Sequence, residues 1–120
     1  METNGFYERY AASMSRMKQA APDIAKGFGA MYGALMKPGA LGVREKELIA
    51  LAIGLAVRCE GCIWAHVEKS LKAGATPEQV LDAASVAVMM QGGPTYTYVP
   101  KVVEALDHFA ASTPAAVVRT

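Results

Sequence analysis

The segment LIALAIGLAVRCEGCIWAH, Leu48 to His66, decides how the rest of the chain is read. Its first part, Leu48–Val57, is the longest apolar run without a charge, with Gly54 inside it. A helix that is apolar on every side is one that neighbours or partner subunits bury. The run falls far short of the roughly 20 residues needed to span a bilayer, so it reads as a core helix and no membrane partner is expected. Cys59-Glu60-Gly61-Cys62 interrupts it, and a further helix carrying Trp64 and His66 follows. These two helices are predicted over about Val43 to Arg58 and from the cysteine pair to about Ala73, with Gly74 suited to the second C-terminal cap.

Working outward, helical periodicity continues and no strand alternation is found. Phe6, Tyr10, Met14 and Met17 mark one face of a first helix, and Ile24, Phe28, Met31, Tyr32 and Leu35 one face of a second. Pro22 suits that second helix's opening turn, and Lys37-Pro38-Gly39 stops it. Thr76-Pro77-Glu78-Gln79 is a helix start in which Thr76 caps and Gln79 bonds back to the cap. Val80, Leu81, Ala84 and Val88 form the expected buried stripe of this fifth helix, and Gln91-Gly92-Gly93-Pro94 ends it. Val99, Val103, Leu106 and Ala110 belong to a last helix, with Pro100 at its opening or in its first turns. The tail after Ser112 is expected to be loose. The prediction is all-α: a bundle of about six helices with a helix–CxxC–helix core, as one domain over 1–120 without repeat or linker.

Composition limits the function classes. Of 120 residues 52% are hydrophobic and 19% charged, and the charged share lies below the usual quarter of soluble domains. Part of the apolar surface is therefore expected at contacts between identical subunits. The formal net charge is +1, and no basic run suggests nucleic acid. The polar start of the chain lacks the features of a signal peptide, and a soluble, cytoplasmic protein is expected. A bridge between the two cysteines would close too small a loop to staple a fold, so in a reducing compartment the pair reads as redox or metal chemistry.

Three features favour a thiolate at Cys62. It lies near a helix N-terminus. His66, four residues on, shares its helix face. Imidazole exchanges a thiol proton near neutral pH. Arg58 helps and Glu60 opposes. Cys62 is the candidate attacking thiolate and Cys59 the resolving partner, the reverse order remaining open. A zinc site would use Cys59, Cys62 and His66 but needs a fourth ligand, and His108 sits in a polar run with Lys101, Glu104 and Asp107 that reads as a solvated face. No metal and no cofactor are expected. Trp64 reads as packing or interface, and Tyr96 and Tyr98 are the residues of the next helix placed to approach the site. A third reading makes the apolar helix and the methionines a pocket for a small apolar ligand, with the cysteines incidental. Glu47 is the nearest upstream carboxylate; a first-turn acid favouring the helix dipole explains it equally well.

These residues resemble the carboxymuconolactone decarboxylase superfamily, and within it the alkylhydroperoxidase D-like (AhpD-like) branch. The pattern is Glu47, Cys59, Cys62 and His66, with Arg44-Glu45-Lys46-Glu47-Leu48-Ile49 before the pair and Gly74-Ala75-Thr76-Pro77-Glu78 after it; the resemblance covers about Leu41 to Leu106. It implies an all-helical trimer or hexamer with peroxidase or disulfide-reductase chemistry. Glu47 would orient His66, His66 would take the proton of Cys62, Cys62 would attack an organic hydroperoxide or a disulfide, and Cys59 would close the bridge. A dithiol such as a lipoyl carrier would be the reductant. The best-characterised members carry a histidine just before the second cysteine, where this chain has Gly61; a disulfide reductase or redox sensor without efficient peroxide turnover is therefore the alternative. The decarboxylases of the superfamily lack the cysteine pair.

The relay carries a geometric expectation. In a simple antiparallel hairpin turning near Glu60, the backbones of Glu47 and His66 are offset by roughly 10 Å at about 1.5 Å per residue. Side chains and a water would barely span that, or Glu47 would serve another subunit.

Overall fold

In the computed structural model, which describes residues 5–111 (the backbone alone at Ala111), seven helices follow one another: α1 (Phe6–Ala20), α2 (Pro22–Met36), α3 (Val43–Ala56), α4 (Glu60–Lys72), α5 (Pro77–Gln91), α6 (Gly93–Tyr96) and α7 (Val99–Ala111). The described residues contain no strand. The fold is all-α as expected; α6, a single turn begun by Pro94 at a first-turn position, is the element that reading Gly92-Gly93-Pro94 as a plain stop left out. The tail after Ser112 lies outside the described residues. No described helix is long and apolar enough to cross a membrane.

The chain reverses at Arg58. The Cys59 N–H donates to the Gly54 carbonyl (2.9 Å) and the Arg58 N–H to the Leu55 carbonyl (3.0 Å), while Arg58 takes the left-handed conformation with φ 56°. This is the paired-bond termination that glycine usually serves. Gly74 does serve it at the end of α4, with φ 101° and bonds from Ala75 to Ser70 (2.9 Å) and from Gly74 to Leu71 (3.0 Å). At the next start, Thr76 accepts from the Gln79 N–H (3.1 Å) and the Gln79 side chain accepts from the Thr76 N–H (3.0 Å), the reciprocal cap expected.

Turning at Arg58 rather than Glu60 changes the register of the α3–α4 hairpin, the most extensive helix pairing among the described residues. Gly54 and Cys62 lie side by side: a Cβ on Gly54 would stand 2.8 Å from the Cys62 Cβ. From that level, Glu47 and His66 are offset by only about 4–5 Å at 1.5 Å per residue. The larger offset expected above is thereby corrected, and one subunit suffices to bring the two side chains together.

Leu51 and Leu55 of α3, Ile63, Trp64 and Val67 of α4, Val80, Ala84 and Ala87 of α5 and Val102, Ala105, Leu106 and Phe109 of α7 form the core. The α5 stripe differs from expectation: Leu81 is exposed and Ala87 buried, so the buried face of α5 runs through Val80, Ala84 and Ala87. On α7 the buried face is rotated, leaving Val103 exposed; Pro100 sits in its first turn, where a missing N–H costs nothing. That rotation brings His108 out of the expected solvated face and against rings, 5.0 Å from Tyr7 and edge-on to Trp64 at 5.3 Å. Trp64 is fully buried among Phe6, Tyr7, His108 and Phe109, with its Nε1 unpartnered among the described residues. Tyr96 is exposed, and Tyr98 packs on the core rather than at the cysteines.

The apolar helix α3 is buried on one side only. Leu51, Gly54 and Leu55 face the core, whereas Ile49, Ile53 and Val57 are exposed. The α2 stripe is likewise open, with Ile24, Phe28, Met31 and Leu35 all more than half exposed.

Two glycine substitutions separate close packing from open helix surface. Gly54→Ala should lower unfolding free energy by about 1–3 kcal/mol through overpacking against Cys62. Gly33→Ala meets nothing within 4 Å on α2 and should raise it by about 0.5–1 kcal/mol. Urea titration of both variants measures this; equal behaviour would contradict the register.

Candidate functional site

Cys59 is the N-cap of α4, its sulfur accepting the Cys62 N–H at 3.2 Å, so Gly61 and Cys62 stand in the first turn of the helix. The two cysteines are joined as a disulfide with Cα atoms 5.2 Å apart. Both sulfurs therefore lie at the positive end of the α4 dipole, where a thiolate is favoured after reduction. The capping bond gives Cys59 a share of that stabilisation which the spacing argument had assigned to Cys62 alone. Position separates them: of the two, Cys62 lines the adjoining cavity. Glu60, which opposes a thiolate, has its charge offset by Lys101 Nζ at 3.4 Å.

Cys62, Ala65, His66 and Lys69 recur at helical spacing and form the α4 wall of a cavity of about 530 Å³. The opposite walls come from α1 and α2. His66 Nδ1 lies 2.6 Å from Glu47 Oε1. With that N–H donated to the carboxylate, Nε2 is the nitrogen left to exchange a proton. Glu47 is 3% exposed although it is charged, and a buried carboxylate needs partners to offset its lost hydration. Its second oxygen, Oε2, accepts a hydrogen bond from the Tyr32 hydroxyl. Cys59 and Cys62 thus stand at the turn of the α3–α4 hairpin, and His66, one helical turn further along α4, is met by Glu47 from the first half of α3. No hydrogen bond joins His66 directly to either sulfur in the disulfide form among the described residues.

Tyr32 was not picked out from the sequence, where it counted as one position of the α2 stripe. Its ring stacks on His66 (centroids 6.3 Å apart, planes 16° apart), and Lys69 Nζ stands 4.2 Å above it. A hydroxyl inside an apolar helix stripe was the available signal, since a tyrosine O–H that is buried finds a partner. Burial first, and then the hydrogen bond to Glu47, push the Tyr32 phenol well above its ordinary 10.0.

Gly61 has a local cause as well. A Cβ there would come within 2.8 Å of Tyr10 Cε1. The Tyr10 ring, stacked on Phe6, occupies the space a side chain at 61 would need. No group of three or more His, Cys, Asp or Glu among the described residues is arranged to hold a metal ion, and His66 already spends Nδ1 on Glu47.

The Tyr32 shift carries a pH expectation. A group whose folded pKa is raised contributes stability that is present below its unfolded value and lost as pH climbs toward the folded one. Stability should therefore decline as pH rises above 10, and Tyr32→Phe should flatten that decline while weakening the protein at neutral pH. Thermal unfolding across pH 8 to 11 checks both, and an unchanged alkaline slope in the variant would count against the Tyr32–Glu47 bond.

Comparison with known proteins agrees with this architecture. The family model described as "Carboxymuconolactone decarboxylase family" matches residues 22–105. A protein from Paracoccus denitrificans, named "Uncharacterized protein 4 in cox locus", is 34% identical over 81% of this chain and 87% of its own length. The crystal structure of a carboxymuconolactone decarboxylase family protein from Legionella pneumophila superposes with a TM-score of 0.79 at 34% identity, covering 86% of this chain and 92% of that one. A Thermotoga maritima family member, for which involvement in an antioxidative response has been suggested, gives 0.68 at 27% identity over 73% of this chain and 91% of its own. The chain belongs to the carboxymuconolactone decarboxylase family.

Proposed function

We propose that this protein is a thiol-dependent peroxidase of the alkylhydroperoxidase D-like kind, acting through Cys62, Cys59, His66 and Glu47. The observation that carries the reading is the shared wall: Cys62 and His66 line one cavity, and Glu47 holds His66 from behind. In the reduced protein His66 Nε2 takes the Cys62 proton, directly or through one water. The thiolate attacks the terminal oxygen of an organic hydroperoxide and the O–O bond breaks. The departing alkoxide takes the proton from His66 and leaves as the alcohol, and Cys62 becomes a sulfenic acid. Cys59 then attacks that sulfur, forming the disulfide and releasing water. A dithiol, for which the resemblance suggests a lipoyl carrier, returns the pair to thiols by exchange.

The setting is a reducing cytoplasm, where such a bridge is catalytic rather than structural. The working form is a homo-oligomer, a trimer or hexamer by resemblance. Two exposed apolar stripes support contacts between copies: Ile49 and Ile53 on α3 with Val57 at its C-cap, and Val86, Met89 and Met90 on α5.

A second reading has an observation of its own. Tyr10 fills the space beside Gly61, so a proton-handling side chain at that position would require the Tyr10 ring to move. In this reading the pair serves as a general disulfide reductase or redox sensor. A peroxidase turns over repeatedly with excess dithiol, whereas a sensor oxidises once and stops.

Reduced protein mixed with an organic hydroperoxide should lose two thiols per chain and consume peroxide catalytically when dithiol is supplied. Cys62→Ser should abolish consumption, Cys59→Ser should permit one oxidation without turnover, and Glu47→Gln should slow the reaction about 100-fold, the scale of general acid–base catalysis. Peroxide consumption by Cys62→Ser at the parent rate would defeat the mechanism.

A further inference from the structure

The cavity beside Cys62 carries more chemistry than peroxide cleavage uses. Lys18 from α1 and Lys69 from α4 both line it, and no aspartate or glutamate does. Neither lysine has a carboxylate partner among the described residues. The carboxylates of Glu45, Glu68 and Glu60 pair with Arg44, Lys72 and Lys101, and that of Glu47 with His66 Nδ1. Lys69 rests instead on the face of the Tyr32 ring, which leaves its ammonium free to receive an anion. Apart from His66 and the Tyr32 ring, the rest of the lining is largely hydrocarbon, aromatic and thioether, including Met14, Met17, Ile24 and Phe28.

The spacing sets the shape of what would satisfy all three parts. Lys69 follows Cys62 by two helical turns on the same face, about 10 Å along the axis at 1.5 Å per residue. A molecule filling the site would be apolar over that length, anionic at one end and reactive at the other. The volume, about 530 Å³, falls within the range of small-molecule pockets, roughly 300–1,000 Å³. Lys18 and Lys69 are both exposed, so their ammonium groups are hydrated until an anion binds; hydrogen peroxide and short neutral hydroperoxides would make no use of them and would cover little of the apolar wall.

We infer that the oxidising substrate is the hydroperoxide of a free fatty acid, its carboxylate received by Lys18 and Lys69 and its peroxide group presented to Cys62. The inference rests on the peroxidase reading and names the substrate of that same site. The step balances as before: the thiolate takes the terminal oxygen, the fatty alkoxide takes the proton from His66, and a hydroxy fatty acid leaves. Condensation of the sulfenic acid with Cys59 releases water. Charge selects the substrate here and apolar area holds it.

The test compares a fatty-acid hydroperoxide with its methyl ester as oxidants of the reduced protein, hydrogen peroxide serving as a third oxidant. The acid should react at least about tenfold faster than the ester, the effect of one charge-assisted contact, and added salt should shrink the ratio. The ratio should fall to about 1 in the Lys18→Gln/Lys69→Gln variant and return in Lys18→Arg/Lys69→Arg. Calorimetry with laurate and methyl laurate reads the pocket without turnover: the oxidised protein should bind the acid and not the ester. If hydrogen peroxide oxidises the pair but acid and ester react equally, this inference falls alone. If no hydroperoxide oxidises the pair, it falls together with the peroxidase reading. An unchanged ratio in the glutamine variant overturns it even with normal turnover. So does exclusion of laurate by a second copy of the chain seated in the cavity.

Discussion

The buried carboxylate of Glu47 is the constraint on which the site depends. A charge withdrawn from water this completely is tolerated only if both of its oxygens find donors. The donors come from two other helices, the Tyr32 hydroxyl from α2 and His66 Nδ1 from α4. One carboxylate on α3 therefore ties together the helix that carries the cysteines and a helix of the cavity wall. It also fixes which nitrogen of His66 carries the proton in the neutral ring. The contact needs the close passage of α3 and α4, which the bare backbone of Gly54 permits at Cys62. Packing and proton handling are here the same requirement.

The two N-terminal helices are held differently from the rest. Neither α1 nor α2 has a single fully buried residue, so the hydrophobic term that fixes α3, α4, α5 and α7 is weak there. Hydroxyls do part of the work instead: Tyr7 donates to Glu68 at 3.1 Å and Tyr32 donates to Glu47. Segments with few buried apolar contacts open at lower free energy than the core. The cavity is thus walled by a rigid helix carrying the cysteine pair on one side and by a helical pair of lower local stability on the other.

Much of the fold was legible because its signals are local. Gly74, Thr76, Pro77 and Gln79 each announce a helix end or start through their own backbone or side-chain chemistry, and each holds that place. The faces of α5 and α7 were read less well. Leu81 is the larger hydrophobe, yet burial goes to Ala87; of the two valines Val102 and Val103, the one that faces the core is fixed by how α7 is rotated against its neighbours, which periodicity alone did not set. The cysteine pair and His66 were legible from spacing, and Glu47 from a resemblance. Tyr32 and the Arg58 turn were not, since a hydroxyl's partner and a non-glycine left-handed residue are settled by tertiary contacts. The position of the turn also accounts for the overestimated distance between Glu47 and His66.

Trp64 gives this arrangement an optical signature. It is the single tryptophan of the chain, fully buried, two residues beyond Cys62, and ringed by side chains from α1 and α7. Indole emission responds to the polarity around the ring and to sulfur nearby. One native chromophore therefore sits where the redox state of the pair and the seating of α1 both alter its surroundings, and the protein's chemistry is written into its own fluorescence without any added label.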